Sequence, residues 1–274
     1  MGAAVLDFEK LDEVARTRRD EFASAKPFPH IVIDDFLPRE TADRVVAEFD
    51  DTDAGLDCYY HYNERKMALT HTSAMRDHTQ NMVSALQSRR FVAIIEQLTG
   101  LEGLVSDPDL DGAGLHRVLP GGFLNVHVDF LAHTTQRNWS RQINLLIYLN
   151  RDWNPEWNGA LELWDADVSR RVQSIEPAFN RCVMFRTDAT SFHGHPRKLA
   201  CPPGMDRKSL ALYYFREENE PIDLSPTRYL ALPTDRATKR LLIRMDRHLL
   251  RAYSFLKRYT GLSDGTVSRI LKRF

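Results

Sequence analysis

The stretch FLNVHVDF, residues 123–130, alternates side chains of two kinds and follows the turn residues LPGG, so it reads as a β-strand. In a strand successive side chains leave opposite faces, which puts Asn125, His127 and Asp129 together on one side. An imidazole and a carboxylate two positions apart can share one metal ion. The triplet alone carries little weight, because ten His and 24 Asp in 274 residues supply about one His-x-Asp by chance. Its surroundings have to decide.

Working outward, short segments rich in β-branched and aromatic residues recur from Gly112 onward, punctuated by Gly, Pro and Asn. Strands are expected at 113–119, 123–129, 142–149, 159–164, 169–175, 181–186, 190–193 and 208–215, a pattern that fits a sandwich, a jelly roll or a barrel. A second histidine, His193 in SFHGHP, falls at the end of one of these strands, where an antiparallel double sheet can return to the same mouth. Two His and one carboxylate on one face leave coordination positions open, the arrangement of non-haem Fe(II) oxygenases. His195 competes with His193, but Pro196 and strand parity make it the weaker candidate. In RKSLALYYF, residues 207–215, Arg207 and Ser209 share one face and Lys208 takes the other. A guanidinium with a hydroxyl beside it suits a carboxylate, which Arg grips through a bidentate fork.

Upstream of the strands the period changes. Residues 9–23 repeat as a helix, His30 to Phe36 as a strand, and Ala42, Val45, Val46 and Phe49 again at helical spacing. Two further helices are expected near 79–88 and 90–99, the second stopped by Gly100. Between Phe49 and the first of these, residues 51–78 show no sustained period, and their tyrosines favour an ordered lid over a linker. Asn125, His116, Arg117, Arg141 and these tyrosines are candidates to face a cavity; Trp153, Trp157 and Trp164 are expected to pack.

The composition sets outer limits. An apolar fraction of 43% and 37 basic against 38 acidic residues exclude a disordered or fibrous chain. Three cysteines without CxxC spacing argue against a disulfide framework and for a reducing compartment. The charged N-terminus does not resemble a signal peptide, and no apolar run is long enough for a spanning helix, so a cytoplasmic location is expected. Residues 236–274 carry eleven Lys and Arg against two Asp, a local +9 that leaves −10 for residues 1–235 within the net −1. This segment reads as a separate basic helical extension with an apolar stripe from Leu241 to Tyr259, open to an anionic partner.

Read in order, PFPHIVIDDFLP, LPGGFLNVHVDF, INLLIYLNRDWNPEWNGALELWD, FNRCVMFRTDATSFHGHP and RKSLALYYF resemble the Fe(II)/2-oxoglutarate-dependent dioxygenases, in particular their prolyl 4-hydroxylase-like branch, over roughly residues 28–216. The resemblance implies an α+β, mainly β fold: a double-stranded β-helix (jelly roll) with N-terminal helices on one sheet, spanning residues 1–235, followed by the helical extension. It implies iron held by His127, Asp129 and His193, and 2-oxoglutarate held by Arg207 with Ser209 and Tyr148 as further contacts. The gap of 14 residues from His193 to Arg207 exceeds the family's common spacing, which keeps Lys208 as an alternative anchor. The implied cofactors are Fe(II), 2-oxoglutarate and O2, with ascorbate as an auxiliary reductant. The implied reaction hydroxylates an unactivated C–H bond of a small-molecule, sugar or peptidyl (proline-like) substrate while 2-oxoglutarate becomes succinate. A carboxylate at Asp129 favours hydroxylation over halogenation. Two other classes compete: a jelly roll that binds without catalysing, and a DNA-binding protein using the helix-turn-helix-like end YTGLSDGTVSRILKRF.

Overall fold

The computed structural model describes residues 4–51, 56–223 and 227–243. Two helices open the chain, α1 (Phe8–Thr17) and α2 (Arg19–Ser24), where one continuous helix was expected. Arg18 interrupts them with a non-helical backbone; its guanidinium reaches Glu21 and the Val32 carbonyl instead. Strand β1 (His30–Ile33) and helix α3 (Arg39–Asp50) follow as expected.

Residues 51–78, expected to be an aperiodic loop ordered as a lid, include regular structure. They contain a hairpin of β2 (Asp57–His61) and β3 (Glu64–Leu69). Helices α4 (Asp77–Gln87) and α5 (Arg89–Thr99) come next, separated at Ser88, whose hydroxyl accepts from the Phe91 amide and caps α5. Gly100 ends α5 at φ 72°, the left-handed conformation that glycine adopts without strain. The remaining strands are β4 (Leu104–Ser106), β5 (Gly114–Val118), β6 (Phe123–Val128), β7 (Trp139–Tyr148), β8 (Leu161–Trp164), β9 (Arg171–Ile175), β10 (Arg181–Arg186), β11 (His193–His195), β12 (Arg207–Glu217) and β13 (Arg228–Tyr229).

The strands form one curled sheet in the order β1-β10-β7-β12-β5-β3-β6-β11-β8-β9, with β2, β4 and β13 added at its margins, every named pair antiparallel. The curl passes through β3. Its Met67–Leu69 end pairs with β5 and its Glu64–Arg65 end with β6, which carries the sheet from one half of the jelly roll to the other.

Alternation along β7 and β12 separates core from cavity. Ile143, Leu145, Ile147, Leu210, Leu212 and Tyr214 face outward and join the large core built with the helices, among them Leu11, Val45, Phe91 and Ile95. The opposite face carries Asn144, Tyr148, Ser209 and Tyr213 into the hollow of the curl. The expected helices-on-one-sheet arrangement is therefore present. Residues 237–243 begin the expected tail helix; the rest of its stripe and the helix-turn-helix-like end lie outside the described residues.

Candidate active site

His127 lies on β6 and His193 directly opposite it on β11. Their rings stand 4.5 Å apart, centroid to centroid. Asp129, just past β6, points between them: its Oδ1 is 3.4 Å from His127 Nε2 and its Oδ2 is 3.3 Å from His193 Nε2. The three donor atoms lie within 4.8 Å of one another, and no other such cluster of His, Cys, Asp or Glu occurs among the described residues. His195, the competing candidate, is not part of it.

The rings are oriented by backbone. His127 Nδ1 is 2.9 Å from the Asn125 carbonyl and His193 Nδ1 is 2.9 Å from the Ser191 carbonyl, so each Nδ1 carries the proton and each Nε2 turns its lone pair to the centre. Burial lowers the His127 pKa, with the neighbouring His193 adding to the effect, which keeps the imidazole neutral. Burial by itself would push the Asp129 carboxyl up; the Arg141 charge, with the neighbouring histidines adding to it, outweighs burial and holds the group well below the usual carboxylate range. Two imidazole nitrogens and one carboxylate oxygen, held by secondary contacts, are a donor set that fits Fe(II).

Arg141 deserves its place through a bulge. Between Tyr214↔Ile143 and Phe215↔Arg141 the β12–β7 register slips by one residue, and Arg141 joins the Asn144 face. Its Nη2 lies 3.2 Å from Asp129 Oδ2, its Nε donates to Asn144 Oδ1 at 2.7 Å, and Asn144 donates to Asp129 Oδ2 at 2.7 Å. The guanidinium is sandwiched by Tyr213 and Phe130, 3.2 and 4.7 Å from their ring centroids. Sequence reading counted Arg141 among cavity candidates without a role, because a bulge leaves no periodic signal.

The other end of the hollow is built by β12, β7 and β5. Arg207 is buried, its Nε donating to the Gly159 carbonyl at 2.7 Å and its Nη2 to the Tyr148 hydroxyl at 3.2 Å. The Tyr148 phenol is pushed up by burial and stays protonated, so having accepted from Arg207 it can still donate. Ser209 is buried opposite Tyr148 on one side and opposite His116 on the other. Lys208 points away from all three and pairs with Asp50 at 2.7 Å and Asp206 at 2.6 Å. The alternative anchor is thus corrected: Lys208 is committed to the outer surface. Arg117 also faces outward, to Asp206 and the Phe49 ring, and Asn125 bonds Asn63. Trp153 and Trp157 pack edge to face, as expected of them.

Two wall residues were not read from sequence. Tyr229, on β13, lies opposite His127 with ring centroids 5.3 Å apart, and Lys66 on β3 pairs with Glu64 while sensing the charge of Asp129. A two-residue strand and a strand with a polar inner face carry no hydrophobic period that could have revealed them.

Residues 113–215 match the model of the 2OG-Fe(II) oxygenase superfamily. The match covers less than half of the chain and takes in His127, Asp129, Tyr148, His193, Arg207 and Ser209; the chemistry of that superfamily uses Fe(II), 2-oxoglutarate and O2. Among individual relatives, prolyl 3-hydroxylase OGFOD1 of Mus musculus is 25% identical over 172 residues, which make up 61% of this chain and 29% of that one. The chain therefore spans less than a third of that relative's length. A prolyl hydroxylase of Trichoplax adhaerens, solved with a hypoxia inducible factor peptide fragment, superposes with a TM-score of 0.55 at 16% identity, covering 76% of this chain and 91% of that one. A Pseudomonas putida prolyl-4-hydroxylase gives 0.54 at 20% identity, with 77% and 100% covered. At these identities the likeness is one of fold, the mainly β jelly roll of the prolyl hydroxylases. No helix among the described residues is long and apolar enough to cross a membrane.

Proposed function

We propose that this chain is an Fe(II)- and 2-oxoglutarate-dependent dioxygenase that hydroxylates an unactivated C–H bond, with His127, Asp129 and His193 as the iron ligands and Arg207, Tyr148 and Ser209 as the cosubstrate grip. The observation that carries this reading is the convergence of the three donor atoms within 4.8 Å in the same hollow of the sheet that buries Arg207. When bound, the ferrous ion supplies the redox chemistry that joins O2 to decarboxylation of the 2-oxo acid.

The chain's own residues do the positioning. His127 and His193 present Nε2, Asp129 stays anionic under the Arg141 charge, and Asn144 fixes the rotation of its carboxylate. Arg207 meets the far carboxylate of the diacid, and the Tyr148 and Ser209 hydroxyls add neutral hydrogen bonds to it. Phe185, whose ring is 4.7 Å from His193, and Tyr229 beside His127 keep water from the flanks of the centre.

The names of the relatives favour a peptidyl, proline-like substrate over a sugar or other small molecule. A reducing, cytoplasmic setting goes with this reading, as the spacing of the three cysteines suggests. Incubation with Fe(II), 2-oxoglutarate, O2 and ascorbate against panels of prolyl peptides and sugars tests the reading. Succinate formed in step with a product 16 Da heavier is the expected result; no succinate above a no-enzyme control across the panels would contradict it.

A further inference from the structure

Two imidazoles in the hollow, half-buried His116 and buried His195, stand apart from the other histidines of the interior. His30, His127 and His193 each set Nδ1 against a backbone carbonyl, and His133 receives the Thr135 and Gln136 amides. His116 and His195 make no hydrogen bond to any described residue, and His116 Nε2 and His195 Nδ1 are closed off from solvent without a partner. A buried polar atom left unpaired is costly, so such atoms call for an explanation.

Their positions supply one. His116 on β5 is opposite Ser209, which is itself opposite Tyr148, the residue whose hydroxyl accepts from Arg207. His195 on β11 borders the same small cavity as Gly159, whose carbonyl holds Arg207 Nε. Loss of solvent lowers the His116 pKa well below the ordinary histidine value, and the charges of Lys66 and Arg207 lower it further, so the ring is neutral and has one N–H to give.

We propose that His116 and His195 are binding residues for the dicarboxylic cosubstrate, each donating a ring N–H to it beside the Arg207 guanidinium. This rests on the function proposed above. It assigns to the grip two residues beyond the guanidinium, phenol and hydroxyl, and accounts for the two unpaired ring nitrogens at this place.

The test uses the full chain under anaerobic conditions: calorimetric titration of the Fe(II)-loaded protein with 2-oxoglutarate, and thermal melts of the protein free of metal and cosubstrate. His116→Leu and His195→Leu should each weaken 2-oxoglutarate binding about tenfold, the loss of one hydrogen bond to a charged group. Fe(II) affinity should stay within about twofold, and His116→Asn should recover part of the loss because it keeps a donor. The melting temperature of the ligand-free leucine variants should be unchanged or higher, since an unpaired polar atom has been removed. Wild-type 2-oxoglutarate affinity in both leucine variants would overturn the assignment, as would loss of Fe(II) binding in His195→Leu or lower melting temperatures with normal affinity. Failure of the wild-type protein itself to bind 2-oxoglutarate would overturn the underlying function as well, and is distinguished by the parent titration.

Discussion

Asp129 is a buried carboxylate kept ionised chiefly by the charge of Arg141, with the neighbouring histidines adding to it. Arg141 is fully buried and reaches it at 3.2 Å, with Asn144 bridging the two. Replacing Arg141 by Leu removes the charge that offsets burial, so the Asp129 pKa rises and Fe(II) affinity should fall roughly 10- to 100-fold, the usual cost of losing an outer partner of a ligand. Calorimetry with Fe(II) alone checks this; an unchanged affinity would show that Asp129 needs no such support. His116 gives a pH prediction whose sign follows from its lowered pKa. The unfolded chain takes up the His116 proton near pH 6.5 and the folded chain refuses it until much lower pH, so stability is full above about 6.5 and declines as pH falls. His116→Leu should flatten this decline by up to about 1.4 kcal/mol per pH unit, read from urea unfolding across pH 7 to 5. An identical slope in the variant would contradict the buried, neutral state. At this scale the sequence was readable where chemistry needs particular residues at particular strand positions: His127, Asp129, His193, Arg207, Ser209 and Tyr148 all fall in the hollow. Arg141 could not be assigned, because one bulged residue in β7 decides which face it takes.

Elements whose two faces differ in polarity were legible, and those that break that contrast were not. Strands β5 to β10 and β12 lie close to their expected spans, and α3, α4 and α5 show the apolar spacing that buries Val45, Met82 and Ile95. The β2–β3 hairpin was taken for a lid because β3 turns Glu64 and Lys66 toward the hollow, erasing the alternation that marks a strand. The α1–α2 break was hidden because apolar residues recur on both sides of Arg18. The loop between β7 and β8 has a functional consequence. Gly159 adopts φ +86°, and a Cβ there would lie 2.7 Å from Leu199 Cδ2 and 3.2 Å from Arg207 Cδ. Gly159→Val combines backbone strain with a push on the anchor, so 2-oxoglutarate binding should weaken at least about tenfold while Fe(II) binding is retained. Equal loss of both affinities would mean that the turn supports the whole fold and has no selective hold on Arg207.

The molecule as a whole joins a helical outer layer to a polar inner hollow through one continuous sheet. The helices and the outward faces of β7 and β12 form the main core, so the fold is stabilised on the side of the sheet away from the metal centre. We propose a domain boundary at residues 235/236, with the basic extension 236–274 outside the oxygenase-like unit. Removal of residues 236–274 should therefore leave Fe(II) and 2-oxoglutarate affinities within about twofold and act on stability or on an anionic partner. A truncated protein that folds, by circular dichroism, and has lost iron binding would contradict that division. The most direct test of the account is an anaerobic titration of the apo protein with Fe(II) and then 2-oxoglutarate, followed by visible absorption. The wild-type chain should develop a weak metal-to-cosubstrate charge-transfer band that saturates with 2-oxoglutarate and is absent in His127→Ala. No band in the wild type, or an equal band in the variant, would contradict the assignment of His127, Asp129 and His193 as the iron site.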